Sequence, residues 1–348
     1  MKKYLISETG NFYKANLHCH TNLSDAILSP EEIKKEYMAR GYSIVAYTDH
    51  DVLIPHNDLK DKNFLPLNGY EIEITEGYEN FEVSFGNEFK KRKSCHICLI
   101  ALEPDNFKQV CWHRSEYLFG HSIEHRDKVI FDESKPDFFR EYKPECINAA
   151  IKEARDNGFF VTYNHPVWSM ESYKEYSNYH NMHAMEIFNT SSWVGGYDEY
   201  NPSIYDDMLR CGKRIFCIAA DDNHNGHPTN SRKCDSFGGF TMIKAEALEY
   251  KAVTDALISG NFYASTGPEI YELWFEDNKI HIKCSPCDRI TLATGRRRCV
   301  AEYADESNEL EYASFDVFPD DVYVRLTVSD IHGKNANTNA YFTDELFK

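Results

Sequence analysis

The sequence predicts an α/β fold over residues 1–268 and a small antiparallel β domain over residues 269–348. In the first region, short apolar segments alternate with segments of helical period, which is typical of a largely parallel sheet covered by helices. Residue types that bind metals recur at the ends of those apolar segments. After residue 268, apolar and polar residues alternate at period two, which predicts antiparallel strands.

The first β-α-β unit is predicted within about forty residues. Predicted strands at 14–18 (KANLH) and 43–47 (SIVAY) flank one helix. Ser29 and Glu32 have the spacing of a capping box, and Pro30 suits the first helical turn. The parallel pair that this unit predicts would place the residues after each strand at the same edge of the sheet.

The same alternation continues to residue 265. Glycine ends each predicted helix, and the strands are short runs rich in aromatic and β-branched residues. Helices are predicted at 144–157, 203–211 and 246–259, and strands at 159–163, 185–188, 214–220 and 261–265. C-terminal strands are predicted at 270–275, 279–284, 289–293 and 322–328. Residues 104–143 fit neither pattern, so we interpret them as an insertion or a lid.

Composition limits the classes of function. Asp and Glu number 56 against 38 Lys and Arg, giving a formal charge of −18, so we expect no stable binding to a nucleic-acid polymer. No segment approaches the roughly 18 consecutive apolar residues of a membrane helix, and no signal peptide is predicted. Eleven cysteines, an odd number in a large chain, indicate reduced thiols and a cytoplasmic protein.

The residues at the ends of the predicted strands are all types that bind divalent metals. In α/β barrels the active site is built at the carboxyl ends of strands, so we expect these side chains to meet. They are His18, His20, His50, Glu71, His165, Asp222 and His224. Asp25 follows His20 closely, whereas His96 fits less neatly because it lies near the start of its predicted strand.

The spacing of the first pair has a physical reason. His18 and His20 are two residues apart at a strand end, so both imidazoles project to the same side and can bind one metal. Glu71 is a candidate to bridge two cations. A set of imidazoles and carboxylates without an obligatory thiolate suits Mn, Fe or Zn better than a structural zinc site.

Taken together, these motifs resemble the PHP family, the polymerase and histidinol phosphatase group. The resemblance covers residues 15–268 in order. It rests on the runs HCHTNLSD (18–25), TDH (48–50), GYE (69–71), His96, NHP (164–166) and DNH (222–224). The sequence departs from the family pattern in two places: Ala26 stands where glycine is common, and Asp221 precedes Asp222.

The resemblance implies a distorted seven-stranded (β/α)7 TIM-like barrel with two or three divalent ions. It implies three ligand sets: His18, His20, Glu71 and Asp222; Glu71, His96 and His165; and Asp25, His50 and His224. It further implies that a metal-activated hydroxide attacks phosphorus, with Asp222, His224 and His50 in the catalytic machinery. Asp222 is preferred to Asp221 by spacing, and Arg232 is the candidate for binding substrate phosphate.

We therefore expect a phosphatase or phosphodiesterase that acts on small soluble substrates such as nucleotides or phosphorylated metabolites. Two alternatives stay open: a metal-dependent amidohydrolase or deacylase, and a metal-bound scaffold without catalytic activity. Residues 97–102 offer no lysine for carboxylation, which disfavours the amidohydrolase. The sequence does not predict the oligomeric state.

Overall fold

The computed structural model describes residues 2–77, 92–305 and 310–348. The strands in chain order are β1 (Lys3–Tyr4), β2 (Asn11–Asn16), β3 (Tyr42–Tyr47), β4 (Leu65–Thr75), β5 (Ser94–Ala101), β6 (Lys108–Gln109), β7 (Ile130–Phe131), β8 (Phe159–Tyr163), β9 (Ala184–Asn189), β10 (Phe216–Ala220), β11 (Phe240–Ala245), β12 (Phe262–Ser265), β13 (Ile270–Glu276), β14 (Lys279–Cys287), β15 (Arg289–Thr294), β16 (Cys299–Tyr303), β17 (Leu310–Asp316), β18 (Tyr323–Ser329), β19 (Asn335–Thr338) and β20 (Tyr341–Phe342). The α-helices are α1 (Pro30–Met38), α2 (Pro144–Asp156), α3 (Tyr173–Tyr176), α4 (Thr190–Val194), α5 (Pro202–Arg210), α6 (Tyr250–Ser259) and α7 (Thr343–Leu346).

Local sequence explains how the helices begin and which face they bury. Ser29 caps α1, and Glu32 completes the predicted capping box with Pro30 in the first turn. In α2, Ile147 and Ile151 belong to the stripe that packs against the neighbouring strands. Burying one such side chain fully contributes roughly 1.5–3 kcal/mol to stability. None of the helices in the described ranges is long and apolar enough to cross a membrane.

One long sheet runs through most of the molecule. Its strand order is β10-β9-β8-β5-β4-β3-β2-β11-β12-β19-β18-β15-β16, with β20 beside β18. The pairs β2–β3, β3–β4, β8–β9 and β9–β10 are parallel. Strand β5 is antiparallel to both of its neighbours, β4 and β8. The predicted α/β fold is confirmed, with one reversed strand inside its parallel part.

The first seven strands of this order, from β10 to β2, do not close into a barrel through ladder pairing among the described residues. Where β10 approaches β2, a single parallel bridge joins Cys19 and Asn223. The Thr241 hydroxyl of β11 also bonds both backbone groups of Ala219. The closed seven-stranded barrel is therefore not confirmed by the strand pairings.

The C-terminal region is antiparallel, as predicted. A second sheet has the order β1-β13-β14-β17, and β1 brings the start of the chain into it. This sheet and the β15–β18 part of the long sheet share a core that includes Leu273, Ile282, Leu292 and Leu326. Pairing of β12 with β19 makes the long sheet continuous across residue 268.

Residues 104–143 lie against the loops that follow β2 and β3. They contain the short pair β6–β7 and a 3₁₀ helix at Gly120–Lys128. The Ser122 hydroxyl donates to the carbonyl oxygen of His50 at 2.8 Å, and the Arg140 guanidinium pairs with Asp51 at 2.5 Å. Gly120 has φ +57, and a Cβ there would lie 2.7 Å from the Ser24 carbonyl oxygen, so this close approach requires glycine.

Candidate metal centre

Six strands of the long sheet bring the nine predicted metal ligands to one place. His18, His20, Asp25, His50, His165, Asp222 and His224 lie on the segments that follow β2, β3, β8 and β10. Glu71 differs from the prediction because it lies inside the eleven-residue strand β4 rather than after it. His96 lies near the start of β5, and the reversed direction of β5 carries that end to the same edge of the sheet.

The most buried group consists of His18, His20, Glu71 and Asp222. The two histidine Nε2 atoms are 3.1 Å apart and lie 3.1 and 3.0 Å from Asp222 Oδ1. Each also lies 3.3 Å from Glu71 Oε2. Four ligand atoms at the corners of a tetrahedron, each 2.0–2.1 Å from a metal, would be about 3.3 Å apart. These atoms therefore have the mutual spacing that a small cation requires.

A second group uses the other oxygen of the same glutamate. Nδ1 of His96 is 3.1 Å and Nε2 of His165 is 3.5 Å from Glu71 Oε1. Nδ1 of His50 approaches Glu71 Oε2 at 3.4 Å. Because its two oxygens face two groups of imidazoles, Glu71 has the placement of a carboxylate that bridges two cations.

The third group, Asp25, His50 and His224 with His20 close by, forms the open edge of the cluster. His224 Nε2 lies 3.3 Å and His50 Nε2 lies 3.8 Å from Asp25 Oδ2. The Asp25 and His224 side chains are 28% and 32% exposed, whereas His18 and His20 are fully buried. A molecule from solvent therefore reaches the cluster from this edge.

Several atoms of the cluster are buried without a hydrogen-bond partner. They are His20 Nδ1, His50 Nδ1, Glu71 Oε2 and His96 Nε2. A buried polar atom left unpaired costs roughly 1–3 kcal/mol, so a concentration of them indicates a ligand that satisfies them. Imidazole nitrogens and carboxylate oxygens are ligands for zinc-like ions, so the residues present fit a divalent metal.

A supporting layer that sequence reasoning missed orients these ligands. His18 Nδ1 donates to Glu186 Oε1 at 2.7 Å, which directs Nε2 of that ring into the cluster. Glu186 Oε2 accepts from the backbone N–H of His165 at 2.9 Å. The Asn164 amide donates to Glu71 Oε1 at 2.9 Å. The signal available in the sequence was an acidic residue, Glu186, inside the apolar run MEIF, and the structure buries it fully in β9.

Asp221 and Asp222 have different roles in the structure. Asp221 accepts from the hydroxyls of Tyr37 and Thr190 and from the backbone N–H groups of residues 237–239, so its oxygens are saturated. Asp222 instead directs Oδ1 at His18 and His20. The carboxylate in the cluster is the one that the two-residue spacing to His224 selects.

The electrostatics of the cluster follow from packing imidazoles against carboxylates. Burial lowers the pKa of His165, but Glu71 and Asp222 outweigh burial and raise that pKa to about 9. Burial also acts against ionisation of Asp222, yet His18 and the other imidazoles lower its pKa. For His50, burial dominates and lowers the pKa to about 3. Protons and metal ions compete for these atoms, so metal affinity will depend on pH.

The backbone is held in a sparsely populated conformation at this site. His165 and Asp222 have φ of +24 and +54, and Asp51, beside His50, has φ of +60. Non-glycine residues in this region cost of order 1–3 kcal/mol each and persist where surrounding contacts fix them. Here the Arg140–Asp51 ion pair and the Asp222 N–H bond to the His18 carbonyl oxygen, 2.9 Å long, supply such contacts.

Arg232, the predicted phosphate-binding residue, is exposed on the segment after His224 and forms no hydrogen bond or ion pair with the described residues. Two aromatic rings border the cluster instead. The Phe119 ring lies 4.7 Å from that of His50, and the Trp168 ring lies 5.1 Å from that of His96. The walls of the site near its second and third groups are therefore aromatic.

Comparisons with known proteins extend this picture. The family model of the PHP domain matches residues 16–263. A two-domain protein from Bacteroides vulgatus, containing a predicted PHP-like metal-dependent phosphoesterase, is 13% identical, with a TM-score of 0.41 over 98% of this chain and 90% of that one. A protein from Bifidobacterium adolescentis, described as a metal-dependent phosphoesterase, is 13% identical, with a TM-score of 0.34 over 65% and 91%.

A third solved structure, an amidohydrolase from Chromobacterium violaceum with bound sulfate and no metal, is 14% identical. Its TM-score is 0.33 over 60% of this chain and 87% of that one. No curated protein sequence matches the chain.

Proposed function

The chain belongs to the PHP domain family, and we propose that it is a metal-dependent phosphoesterase acting on small soluble phosphate esters such as nucleotides or phosphorylated metabolites. One observation carries the proposal: the Nε2 atoms of His18 and His20 lie 3.0–3.3 Å from each other, from a Glu71 oxygen and from an Asp222 oxygen, the spacing expected around one cation. Beside that group, Glu71 and Asp25 each face further imidazoles, which supports two or three ions in one site.

Divalent ions such as Mn, Fe or Zn would be held by three sets of residues. These are His18, His20, Glu71 and Asp222; Glu71, His96 and His165, with His50 close by; and Asp25, His50 and His224. Bound ions would lower the pKa of water to give a nucleophile and neutralise the phosphate oxygens. Such stabilisation of developing charge is commonly the largest single contribution to catalysis.

The chain's own residues fix the ligands before a substrate arrives. Because Nδ1 of His18 donates to Glu186, its Nε2 keeps a free lone pair directed into the cluster. Nδ1 of His224 donates to the Asp222 carbonyl oxygen at 2.9 Å, so the Nε2 that faces Asp25 is likewise free in the neutral ring. Preorganisation of this kind removes reorganisation from the reaction step.

Substrate would enter at the edge formed by Asp25, His50 and His224, because this edge alone combines cluster ligands with exposure among the described residues. Phe119 and Trp168 would contact the organic part of the ester. We propose that Arg232, an exposed residue on the segment after His224 with no carboxylate partner among the described residues, binds the phosphate.

The proposal also covers the barrel, the domain boundary and the location of the protein. We propose that the seven strands from β10 to β2 act as a distorted barrel, supported by the Cys19–Asn223 bridge at the metal-binding end. We propose a domain boundary near residue 268. A cytoplasmic location is supported by the eleven cysteines, all of which are free thiols.

The test measures phosphate release from nucleoside mono- and bisphosphates, sugar phosphates and a chromogenic ester, with Mn, Fe or Zn. His50→Ala and Asp222→Ala are compared with His180→Ala, which removes an exposed histidine outside the cluster. We expect metal-dependent turnover that both cluster variants lose and the control keeps. Turnover retained in the cluster variants would place the activity elsewhere. Hydrolysis of an acyl amide but of no ester would identify an amidohydrolase, and a metal-loaded protein inert toward both would indicate a scaffold.

A further inference from the structure

A cavity of about 1000 Å³ lies between helix α5 and the polar face of the C-terminal part of the long sheet. Alternate residues of β15 and β18, such as Thr291 and Thr327, line it, while the intervening Leu292 and Leu326 face the core. None of the nine metal ligands lines it. Its volume is that of a small-molecule site, and it is separate from the metal centre.

The positive charge of this cavity comes from arginine alone. Six of the chain's 14 arginines line it, and none of the lysines in the described ranges does. They are Arg210, Arg289, Arg296, Arg297, Arg298 and Arg325. The planar guanidinium matches phosphate and carboxylate groups with two parallel hydrogen bonds, which an ammonium group does not. The chain as a whole carries a charge of −18, so a cluster of arginines in one cavity is not part of a generally basic surface. The cluster instead indicates a site that recognises an oxyanion.

Three of these arginines are occupied by acidic neighbours. Arg325 makes two hydrogen bonds to Asp206, of 2.8 and 2.7 Å, and joins α5 to β18. Arg298 pairs in the same two-pronged way with Asp321, at 2.9 and 2.5 Å. Arg210 lies 3.3 Å from Asp207. These pairs build the wall of the cavity and leave little capacity for a ligand.

The other three arginines, Arg289, Arg296 and Arg297, have guanidinium nitrogens that are available to a ligand. Arg289 Nε is buried and has no hydrogen-bond partner among the described residues. Arg297 is exposed and forms no ion pair or hydrogen bond with the residues that the structure describes. Arg296 uses Nε alone, for the Asp320 carbonyl oxygen at 2.9 Å. Two further acids line the cavity, Asp288 and Asp330, and the second already accepts from the backbone N–H groups of residues 332 and 334.

We propose that this cavity is a second ligand site, which binds a small molecule carrying at least two adjacent oxyanion groups. Arg289, Arg296 and Arg297 meet its charges, and the paired arginines hold the walls. Asp206, Asp207 and Asp321 neutralise Arg325, Arg210 and Arg298, which leaves the three other arginines against Asp288 and Asp330 in the lining, so the cavity keeps an excess of positive charge for an anionic ligand. The site does not depend on the activity proposed for the metal centre.

Isothermal titration calorimetry of the metal-loaded full-length protein with pyrophosphate tests the site, with citrate as a second arm. The variant R289Q/R297Q removes the unpaired charges, and K62Q/K348Q removes two exposed charges elsewhere as a matched control. Asp222→Ala separates this site from binding at the metal centre. Neither substituted arginine forms an ion pair in the described structure, so we expect the melting temperature of R289Q/R297Q to stay within about 2 °C of the wild-type value.

We expect binding at this site in the wild type, in Asp222→Ala and in K62Q/K348Q, and at least tenfold weaker binding when R289Q/R297Q is combined with Asp222→Ala, which removes binding at the metal centre. If citrate binds with the same arginine dependence and pyrophosphate does not, the site stands and its ligand is a polycarboxylate. Binding lost in Asp222→Ala but kept in R289Q/R297Q would assign it to the metal centre and overturn the proposal. Equal loss in the control pair, or no binding of either anion at millimolar concentration, would also overturn it.

Discussion

Two buried glutamates, Glu71 and Glu171, differ in how their carboxylates are satisfied. Glu171 accepts hydrogen bonds from the hydroxyls of Tyr142 and Tyr163, each 2.7 Å long, and from that of Tyr179. Glu71 Oε1 accepts from the Asn164 amide and lies 3.1 Å from His96 Nδ1, but Oε2 has no hydrogen-bond partner among the described residues and faces imidazole nitrogens.

The difference separates a structural carboxylate from a ligand-binding one. A buried group whose partners are all supplied by the fold is complete, as Glu171 is. A buried carboxylate oxygen that lacks a hydrogen-bond partner and lies among several imidazole nitrogens is suited to bind a cation, as Glu71 Oε2 is. Burial of an acidic residue alone therefore does not identify a metal site. The hydrogen-bond partners that its oxygens have or lack decide whether it can be a ligand.

The largest expected effect comes from removing a carboxylate ligand of the metal centre. Asp222→Ala should lower turnover of a phosphate ester by a factor on the order of 10³ or more, because both the ligand and the charge that balances the cations are lost. We expect the folded state to persist, because the substitution puts no larger side chain into the cluster. Steady-state kinetics with circular dichroism measures both effects. Turnover within tenfold of wild type would refute the assignment of Asp222.

Metal binding should stabilise the protein through the same centre. A ligand at 100 times its dissociation constant adds about 2.7 kcal/mol to the free energy of unfolding. We expect Zn or Mn to raise the melting temperature of wild-type protein, a chelator to reverse the rise, and Asp222→Ala to lack it. Thermal denaturation with and without metal measures this. An equal rise in the variant would mean that the stabilising metal binds elsewhere.

A smaller effect should follow from the residue that orients a ligand. Glu186→Gln keeps the volume but weakens the bond that fixes the His18 ring, so we expect a 10- to 100-fold loss of metal affinity or activity. Competition with a metal-sensitive dye measures affinity separately from turnover. Glu249→Gln, at an exposed site, is the matched control. If Glu186→Gln and the control behave alike, Glu186 does not position His18.

Glu171, whose hydrogen bonds are all supplied by the fold, should affect the stability of the protein and the pH dependence of that stability. It should have no effect on catalysis. Burial raises the pKa of Glu171 to about 7, against the effect of the three tyrosine hydroxyls that favour the ionised form. A raised folded-state pKa means that the stabilisation is complete below the unfolded pKa, near 4.5, and is lost as pH rises through 7. That loss should amount to roughly 1–3 kcal/mol between pH 5 and pH 8.

Glu171→Gln should remove that slope while keeping turnover within about twofold of wild type. Glu175→Gln is the contrasting control. The Lys93 ammonium and Ser172 overcome burial and lower the Glu175 pKa to about 2, so its titration falls below this pH window. Urea denaturation at pH 5 and pH 8 gives the two free energies. An unchanged slope in Glu171→Gln would show that this group does not titrate in the window.

Much of the fold was predictable because local patterns determined it. The strand at 159–163 and the capped helix after Ser29 match their predicted positions, since aromatic and β-branched runs and capping motifs act over a few residues. Strand direction was not predictable. The pattern of residues 94–101 is the same for a parallel and an antiparallel strand, so the place of His96 became clear only from the pairing of β5.

The site shows the same division. Ligand types at predicted strand ends identified seven of the nine residues that the structure brings together, and the family resemblance added Asp25 and His96. Contacts between side chains distant in sequence were beyond that reasoning: Glu186 orients His18 across 168 residues. Arg232 was proposed from proximity in sequence alone, and its exposed position places it in no described contact with the cluster.

The most direct test of the central claim is the metal content of the protein. Wild type and Asp222→Ala would be dialysed against Zn or Mn, and bound metal per chain measured by plasma mass spectrometry. The unpartnered atoms around Glu71 predict two or three tightly bound ions in the wild type and a clear loss in the variant. A wild-type protein that retains no divalent metal would contradict the account, because those buried atoms would then remain without the ligand they require.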